Sequence, residues 1–289
     1  MSNQRNVLGR LLVGLSVLTL AGPVQAQLSL PEPSPPATVQ QKIGFTDLTI
    51  TYSRPAVKGR TVFGGLVPFG QLWRTGASNA TTLMVTDSVM IGGKPLPAGN
   101  YSLVTIPNPQ EWTVILNRRT DGHGLSGYDE KDDVLRFTAQ SDSSSRFYES
   151  FTIEVQDVIR GQATLLLHWA NTSIRFPIVS NADQRIRTEI HSLIDLKKEH
   201  NPTLLYQAAQ YVYDQQTDTE SGLKWIASAI VSKPAFNYLH LQAKLLARSG
   251  DYKGAIAAAR RSATVAQQEK FTDYVTLNNR LIAEWEKKL

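Results

Sequence analysis

The residues with the most chemistry to offer lie between Arg54 and Arg74, in "SRPAVKGRTVFGGLVPFGQLWRTGA" and its flanks. Four cations (Arg54, Lys58, Arg60, Arg74) and three aromatics (Phe63, Phe69, Trp73) fall within twenty-one residues. Gly59, Gly64, Gly65, Gly70 and Gly76 punctuate the passage and allow turns that a Cβ forbids. Arginine offers a planar fork of N–H donors for carboxylate or phosphate, tryptophan a stacking face, and glycine-rich backbone exposed amides for an anion. The passage therefore reads as a pocket for an anionic or glycan ligand, with Arg54, Lys58, Arg60, Trp73 and Arg74 as its binding residues. The competing reading is a plug. The rings seal one end of a β-domain, and the arginines pair with acidic residues such as those of "YDEKDD" at 128–133. Buried aromatics pack more often than they bind, which favours the plug.

Catalytic groups are sparser. His123, between Gly122 and Gly124 in "DGHGLSGYDE", is the best-placed general base, with Tyr128 and Asp129 close behind it. No G-x-S-x-G elbow surrounds Ser53, Ser78 or Ser126, and there is no cysteine to act as a nucleophile. The five histidines (123, 168, 191, 200 and 240) show no H-x-H or H-E-x-x-H spacing, and "DEKDD" lacks the glycine and frame of a calcium loop. No glycine-rich phosphate loop joins a strand to a helix. Neither a metal nor a cofactor is expected. His168, between Leu167 and Trp169, reads as a satisfied histidine of a core or interface.

The N-terminus reads as a secretory leader over residues 1–26: Arg5 and Arg10, the apolar run "LLVGLSVLTLAG", then small residues ending at Ala26. Removing Arg5 and Arg10 changes 30 basic against 25 acidic residues into 28 against 25, a net charge of +3. That is too mild for a nucleic-acid surface. With no cysteine after the leader, lipid attachment there is excluded, and no transmembrane anchor remains after cleavage. The expected location is periplasmic or extracellular.

The elements that must hold these residues follow from pattern. Residues 27–38 carry "LSLPEPSPPA", four prolines in ten residues, which predicts an extended linker. Residues 39–180 read as an antiparallel all-β sandwich of eight or nine short strands. Val39, Gln41, Ile43 and Phe45 share one parity, and Leu48, Ile50 and Tyr52 the other, so a bulge or tight turn is predicted near Thr46–Asp47. Leu83, Val85, Val89 and Ile91 keep one parity, and Trp112, Val114 and Leu116 alternate. Residues 181–289 turn helical. Ile186, Ile190, Leu193 and Ile194 have helical spacing, Asn201–Pro202 is a helix start, and Gly250 a helix stop. About six helices are expected, the last with Phe271, Tyr274, Val275, Leu281, Ile282, Trp285 and Leu289 on one stripe.

Two resemblances add to this reading. "SRP…KGR", "FGGLVPFG" and "WRTGA", with "LPAGNYSLVTIP", "EWTVILN" and "GYDEKDDVLRF", resemble the secreted bacterial family DUF2911 over residues ~40–180. The resemblance implies an exported β-domain and transfers no catalytic residue. "TDTESGLKWIASAIVSKP" and "GDYKGAIAAARRSA" align Gly222 with Ala255, 33 positions apart, and resemble tetratricopeptide (TPR)-like hairpins. Stacked hairpins of that kind imply a protein or peptide partner. The expectation is an exported, non-catalytic binding or scaffold protein of the bacterial envelope. The alternative is a hydrolase-like enzyme acting on envelope glycans or peptides.

Overall fold

A computed structural model describes the chain from Leu30 to Leu289. The expected leader lies outside the described residues. Nine antiparallel strands follow: β1 (Pro36–Ile43), β2 (Thr46–Ser53), β3 (Thr82–Val85), β4 (Val89–Ile91), β5 (Lys94–Leu96), β6 (Gly99–Ile106), β7 (Glu111–Asn117), β8 (Asp133–Ile159) and β9 (Gln162–Ser180). They join in the order β1-β2-β3-β6-β7-β8-β9-β4-β5. β1 begins three residues before the expected Val39. Proline is tolerated as the first residue of an edge strand, where it costs no ladder bond, so Pro36 pairs with Ser53.

The two-layered character comes from β8. Its first third pairs with β7 and the remainder, from Ser141, with β9. The candidate strands "DVLRFTA" and "FTIEVQDV" are therefore one 27-residue strand, and "TLLLHW" and "SIRFPIV" one 19-residue strand. No glycine or proline interrupts β8. It changes direction instead through register shifts around Tyr148, where a bulge bends the strand without ending it. The inward side chains of both halves share one apolar core, including Leu83, Val85, Val89, Ile91, Trp112, Val114 and Leu116 as the parity predicted. Leu83 and Val85 belong to the half containing β2, whereas Val89 and Ile91 pair with β9.

The first hairpin turns at Gly44–Phe45, two residues before the predicted site. Gly44 has φ +62°, a conformation natural to glycine, so the turn forms there, and Phe45 is thrown outward, 45% exposed. Gly44 also packs against the chain where it leaves β9. A Cβ on Gly44 would lie 2.5 Å from Ala182 Cβ and 2.6 Å from Ser180 Oγ. The Arg185 guanidinium sits 4.8 Å above the Phe45 ring.

The helices are α1 (Ala182–Ile190), extended by a π-helical turn to Leu196, α2 (Pro202–Asp214), α3 (Thr219–Ser232), α4 (Phe236–Arg248), α5 (Tyr252–Gln268) and α6 (Thr272–Trp285). Asn201 caps α2 by accepting from the Thr203 and Leu204 amides, with Pro202 in the first turn, and Gly250 (φ +87°) follows α4, both as expected. From α2 onward each helix packs on the next, and α2 also touches α4, as α4 touches α6. α3 and α5 start 33 positions apart, and each is capped by an aspartate: Asp218 accepts from the Ser221 amide and Asp251 from that of Gly254. Gly222 and Ala255 are both buried, and a Cβ on Gly222 would meet Val212 Cγ2 at 2.9 Å. The helical apolar side chains form two clusters, one around Leu205, Ile226 and Leu239 and one around Ala255, Ala259 and Trp285. The last stripe is shorter than predicted. Phe271 caps α6 from outside and is 50% exposed, and Leu289 lies beyond the helix.

Gly44→Ala is expected to destabilise the protein well beyond the roughly 1 kcal/mol cost of a left-handed non-glycine residue. Gly93→Ala, at φ +77° with nothing within 4 Å of the added Cβ, serves as the control. Chemical denaturation of both variants measures the difference, which is the contact with Ser180 and Ala182; equal losses would refute it.

Candidate functional site

After Ser53 the chain leaves β2 and closes one end of the β-core before it re-enters as β3. Proline and glycine direct this passage, and backbone bonds hold it. The Val57 amide donates to Glu149 O (2.8 Å) and the Phe151 amide to Pro55 O (2.9 Å), tying the start of the passage to β8. Further on, the Trp73 amide donates to Thr105 O (2.7 Å), and the Trp73 carbonyl accepts from the Thr105 amide (2.9 Å). This pair aims the Trp73 ring inward. The indole is 7% exposed, stacked on Trp169 (centroids 5.7 Å apart, planes 18°), with edge contacts to Trp112, Phe151 and Phe63. Its Nε1 donates to Gly76 O at 3.1 Å. The ring is packed as a plug. Phe69 stays 40% exposed.

The arginines depart from the plug reading. Arg54 Nε donates to Phe151 O (3.0 Å) and its NH2 to Thr152 Oγ1 (2.8 Å), lashing the end of β2 to β8. Arg60 Nε donates to Val57 O (2.9 Å) and its NH2 to Ala56 O (2.6 Å), and Arg74 NH1 donates to Ser78 O (3.0 Å). Among the described residues none of the three meets a carboxylate. The acidic segment expected to neutralise them is engaged elsewhere: Asp132 with Arg119 (2.8 Å), and Asp133 and Glu130 with Arg136 (2.5 and 3.1 Å). Loop carbonyls accept from part of the Arg60 and Arg74 guanidiniums and orient them without neutralising their charge.

Arg60, Trp73 and Arg74 line one open cavity of about 280 Å³, together with Pro55, Leu66 and Ser78. Arg54 and Lys58 do not line it. Arg54 is structural, and Lys58 is exposed, its backbone amide bonded to Glu149 Oε1 (2.9 Å). Three non-glycine residues of the passage hold positive φ: Lys58 (+49°), Thr75 (+54°) and Ser78 (+56°). Thr75 is the sharpest case, because it is β-branched and fully buried. Its Oγ1 contacts Thr105 Oγ1 at 3.0 Å, and its carbonyl accepts from Thr81 Oγ1 at 2.7 Å. Such strain costs about 1–3 kcal/mol per residue and persists where surrounding bonds over-determine the backbone, commonly at ligand clamps.

The catalytic candidates share a loop but not a site. His123 is exposed and bonds Asn79 Oδ1 through Nδ1 (3.1 Å). Asp129 accepts from the Lys131 amide (3.0 Å). Tyr128 donates to Asp133 Oδ2 (3.1 Å) and accepts from Arg136 (2.8 Å), and burial, reinforced by the Asp133 charge, raises its pKa. The same loop buttresses the passage between β2 and β3, which forms a lid on this end of the core. The Gly124 amide donates to Ser78 O (3.0 Å), and a Cβ on Gly124 would meet Arg74 NH1 at 2.9 Å. Gly124, Thr75, Leu66 and Trp169 were not predicted as parts of the site. Only the inward parity of Trp169 carried any sequence signal.

The DUF2911 sequence profile, described as a protein of unknown function, matches residues 34–178. The chain belongs to that family. No curated protein and no solved structure matches it. In this DUF2911 chain the matched region contains the whole lid, its Trp floor and the His123 loop. Among the described residues no group of three or more His, Cys, Asp or Glu is arranged to hold a metal ion, and no helix is long and apolar enough to cross a membrane.

His168 differs from the satisfied histidine expected. It is 7% exposed, its ring stacks against Tyr148 (4.4 Å, 11°), and neither ring nitrogen has a hydrogen-bond partner among the described residues. The outward face of β9 is covered here by a ring that offers packing rather than an acceptor, and Glu154 stands 4.0 Å from Nε2. Burial lowers the His168 pKa and, in the helical half, that of His240, whose Nδ1 meets Asn278 Oδ1 at 2.9 Å.

Trp73→Ala is expected to cost about 3–5 kcal/mol, with Trp73→Phe losing less, measured by denaturant unfolding. A loss for the alanine variant near that of an exposed substitution would show that the ring is not seated in the core. Stability should also depend on pH. Both histidines are harder to protonate folded than unfolded, so the unfolded chain binds more protons as pH falls below about 6.5. Their stabilisation is complete above that value and is lost as pH descends through the folded values. Replacing both (His168→Gln, His240→Gln) should flatten unfolding free energy between pH 7 and pH 5; an unchanged slope would refute the assignment.

Proposed function

We infer that this is an exported, non-catalytic binding protein of the bacterial envelope. Its β half holds an anionic or glycan ligand in the lid cavity, and its helical half docks a protein or peptide. The observation that carries the reading is the state of the lid cations: Arg60 and Arg74 are positioned by backbone carbonyls at an open cavity and have no carboxylate partner among the described residues. Preorganised charge of this kind suits binding, because little ordering remains for the ligand to impose. The hydrolase alternative lacks comparable support, since His123, Tyr128 and Asp129 each bond a different neighbour. Export rests on the charged, apolar and small-residue succession of residues 1–26.

For the helical half, the support is the serial packing of α2 to α6, with contacts between alternate helices, and the 33-residue recurrence of capped helix starts. These features support reading the helices as a TPR-like array, whose stacked repeats would form an extended concave binding surface. Capture from envelope extract with the chain from Gln27, beside a copy ending at Ser180, tests the docking role. The full chain is expected to retain a protein that the shortened copy, still folded by circular dichroism, releases. An identical captured set would remove docking from the helices.

A further inference from the structure

The lid cavity is selective in what it offers. Among the described residues its charged lining consists of Arg60 and Arg74, with no carboxylate or carboxamide side chain. Each guanidinium carries five N–H donors, of which Arg60 directs two, and Arg74 one, to the protein oxygens described above. The other N–H groups of the two guanidiniums make no hydrogen bond to the described residues and are the donors available to a ligand. Beside them lie Pro55, Leu66 and Trp73, with Leu66 45% exposed at the surface. Sugar recognition calls for groups that accept from hydroxyls, and the side chains here that can do so are Ser34 and Ser78 alone. An oxyanion attached to a hydrocarbon body satisfies both parts of the wall at once: charge-assisted bonds to the forks and apolar burial beside them.

We propose that the Arg60–Arg74 cavity binds a small organic carboxylate, its charged group on the two guanidiniums and its hydrocarbon body against Leu66, Pro55 and Trp73. This rests on the ligand-binding reading of the cavity and narrows it from an anion or glycan to one class. The site lies within 280 Å³, at the small end of ligand pockets, so the ligand is a single compact acid or the carboxylate end of a short chain.

Titration calorimetry on the full chain, at low and moderate salt, tests the proposal with four probes: phenylacetate, its uncharged amide, inorganic phosphate and cellobiose. Phenylacetate should bind, weaken with added salt, and exceed its amide at least about ten-fold, the worth of a charge-assisted bond. Arg60→Gln and Arg74→Gln should each weaken it by a similar factor, with Arg74→Lys in between. Because Arg74 also braces the lid, circular dichroism of each variant and the salt dependence of the unmodified chain keep the test independent of folding. Phosphate binding as tightly as phenylacetate would overturn the hydrocarbon part of the proposal. Cellobiose binding without phenylacetate would overturn the class and leave ligand binding standing. Failure of all four probes at millimolar concentration would sink the proposal and the ligand role of the cavity together.

Discussion

A sheet that curls around its own core leaves an open end, and in this protein the Trp73 indole fills it. Trp73 lies against Trp169 from β9, Trp112 from β7 and Phe151 from β8, so one side chain touches both halves of the strand assembly. Aromatic contacts at such separations each add about 0.5–1.5 kcal/mol beyond the area they bury. The ring reaches that position only because its backbone pairs with Thr105 on both sides of the peptide. Fixing Trp73 fixes its neighbours. Arg74 must emerge on the outside, Thr75 must enter a left-handed conformation to turn the chain back, and Gly76 must bring its carbonyl to the indole N–H.

The lid thus combines a structural part and an uncommitted part. Its Trp73 ring is buried and its backbone strained, with the strain absorbed by the bonds of Thr75 to Thr105 and Thr81. Its guanidiniums are oriented by carbonyls and keep their charge. Carbonyl oxygens can direct a cation without cancelling it, whereas a carboxylate would do both. That difference separates Arg60 and Arg74 from Arg136, which is neutralised by Asp133 and Glu130 in the neighbouring loop. The His123 loop takes part as support: Gly124 lets it approach Arg74 closely, and His123 bonds Asn79.

The helical half is joined to the β half around the first hairpin turn. Gly44 admits Ser180 and Ala182 because it has no side chain, and Ser180 Oγ bonds Gly161 O from the last hairpin at 3.0 Å. Two hairpin turns therefore hold the residues from which α1 departs. Beyond α1, each helix packs on the next and alternate helices also touch, with small residues such as Gly222, Ala255 and Ala259 buried among them.

The sequence by itself determined the class of each half. Side-chain parity in β3, β4 and β7 and the caps at Asn201 and Gly250 are local, and the forces behind them act within a few residues. It also identified the lid by composition and named Arg60, Trp73 and Arg74, which share the cavity. Tertiary structure decided the rest. Whether Arg54 binds a ligand or ties β2 to β8 depends on a carbonyl 97 residues away, and whether Asp132 and Asp133 neutralise the lid or Arg119 and Arg136 depends on which loops face each other. The fusion of predicted strands into β8 and β9 is likewise non-local, since strand length is set by the partner that continues the ladder. The charge on an arginine is written in the chain; what stands opposite it is fixed only when distant segments fold together.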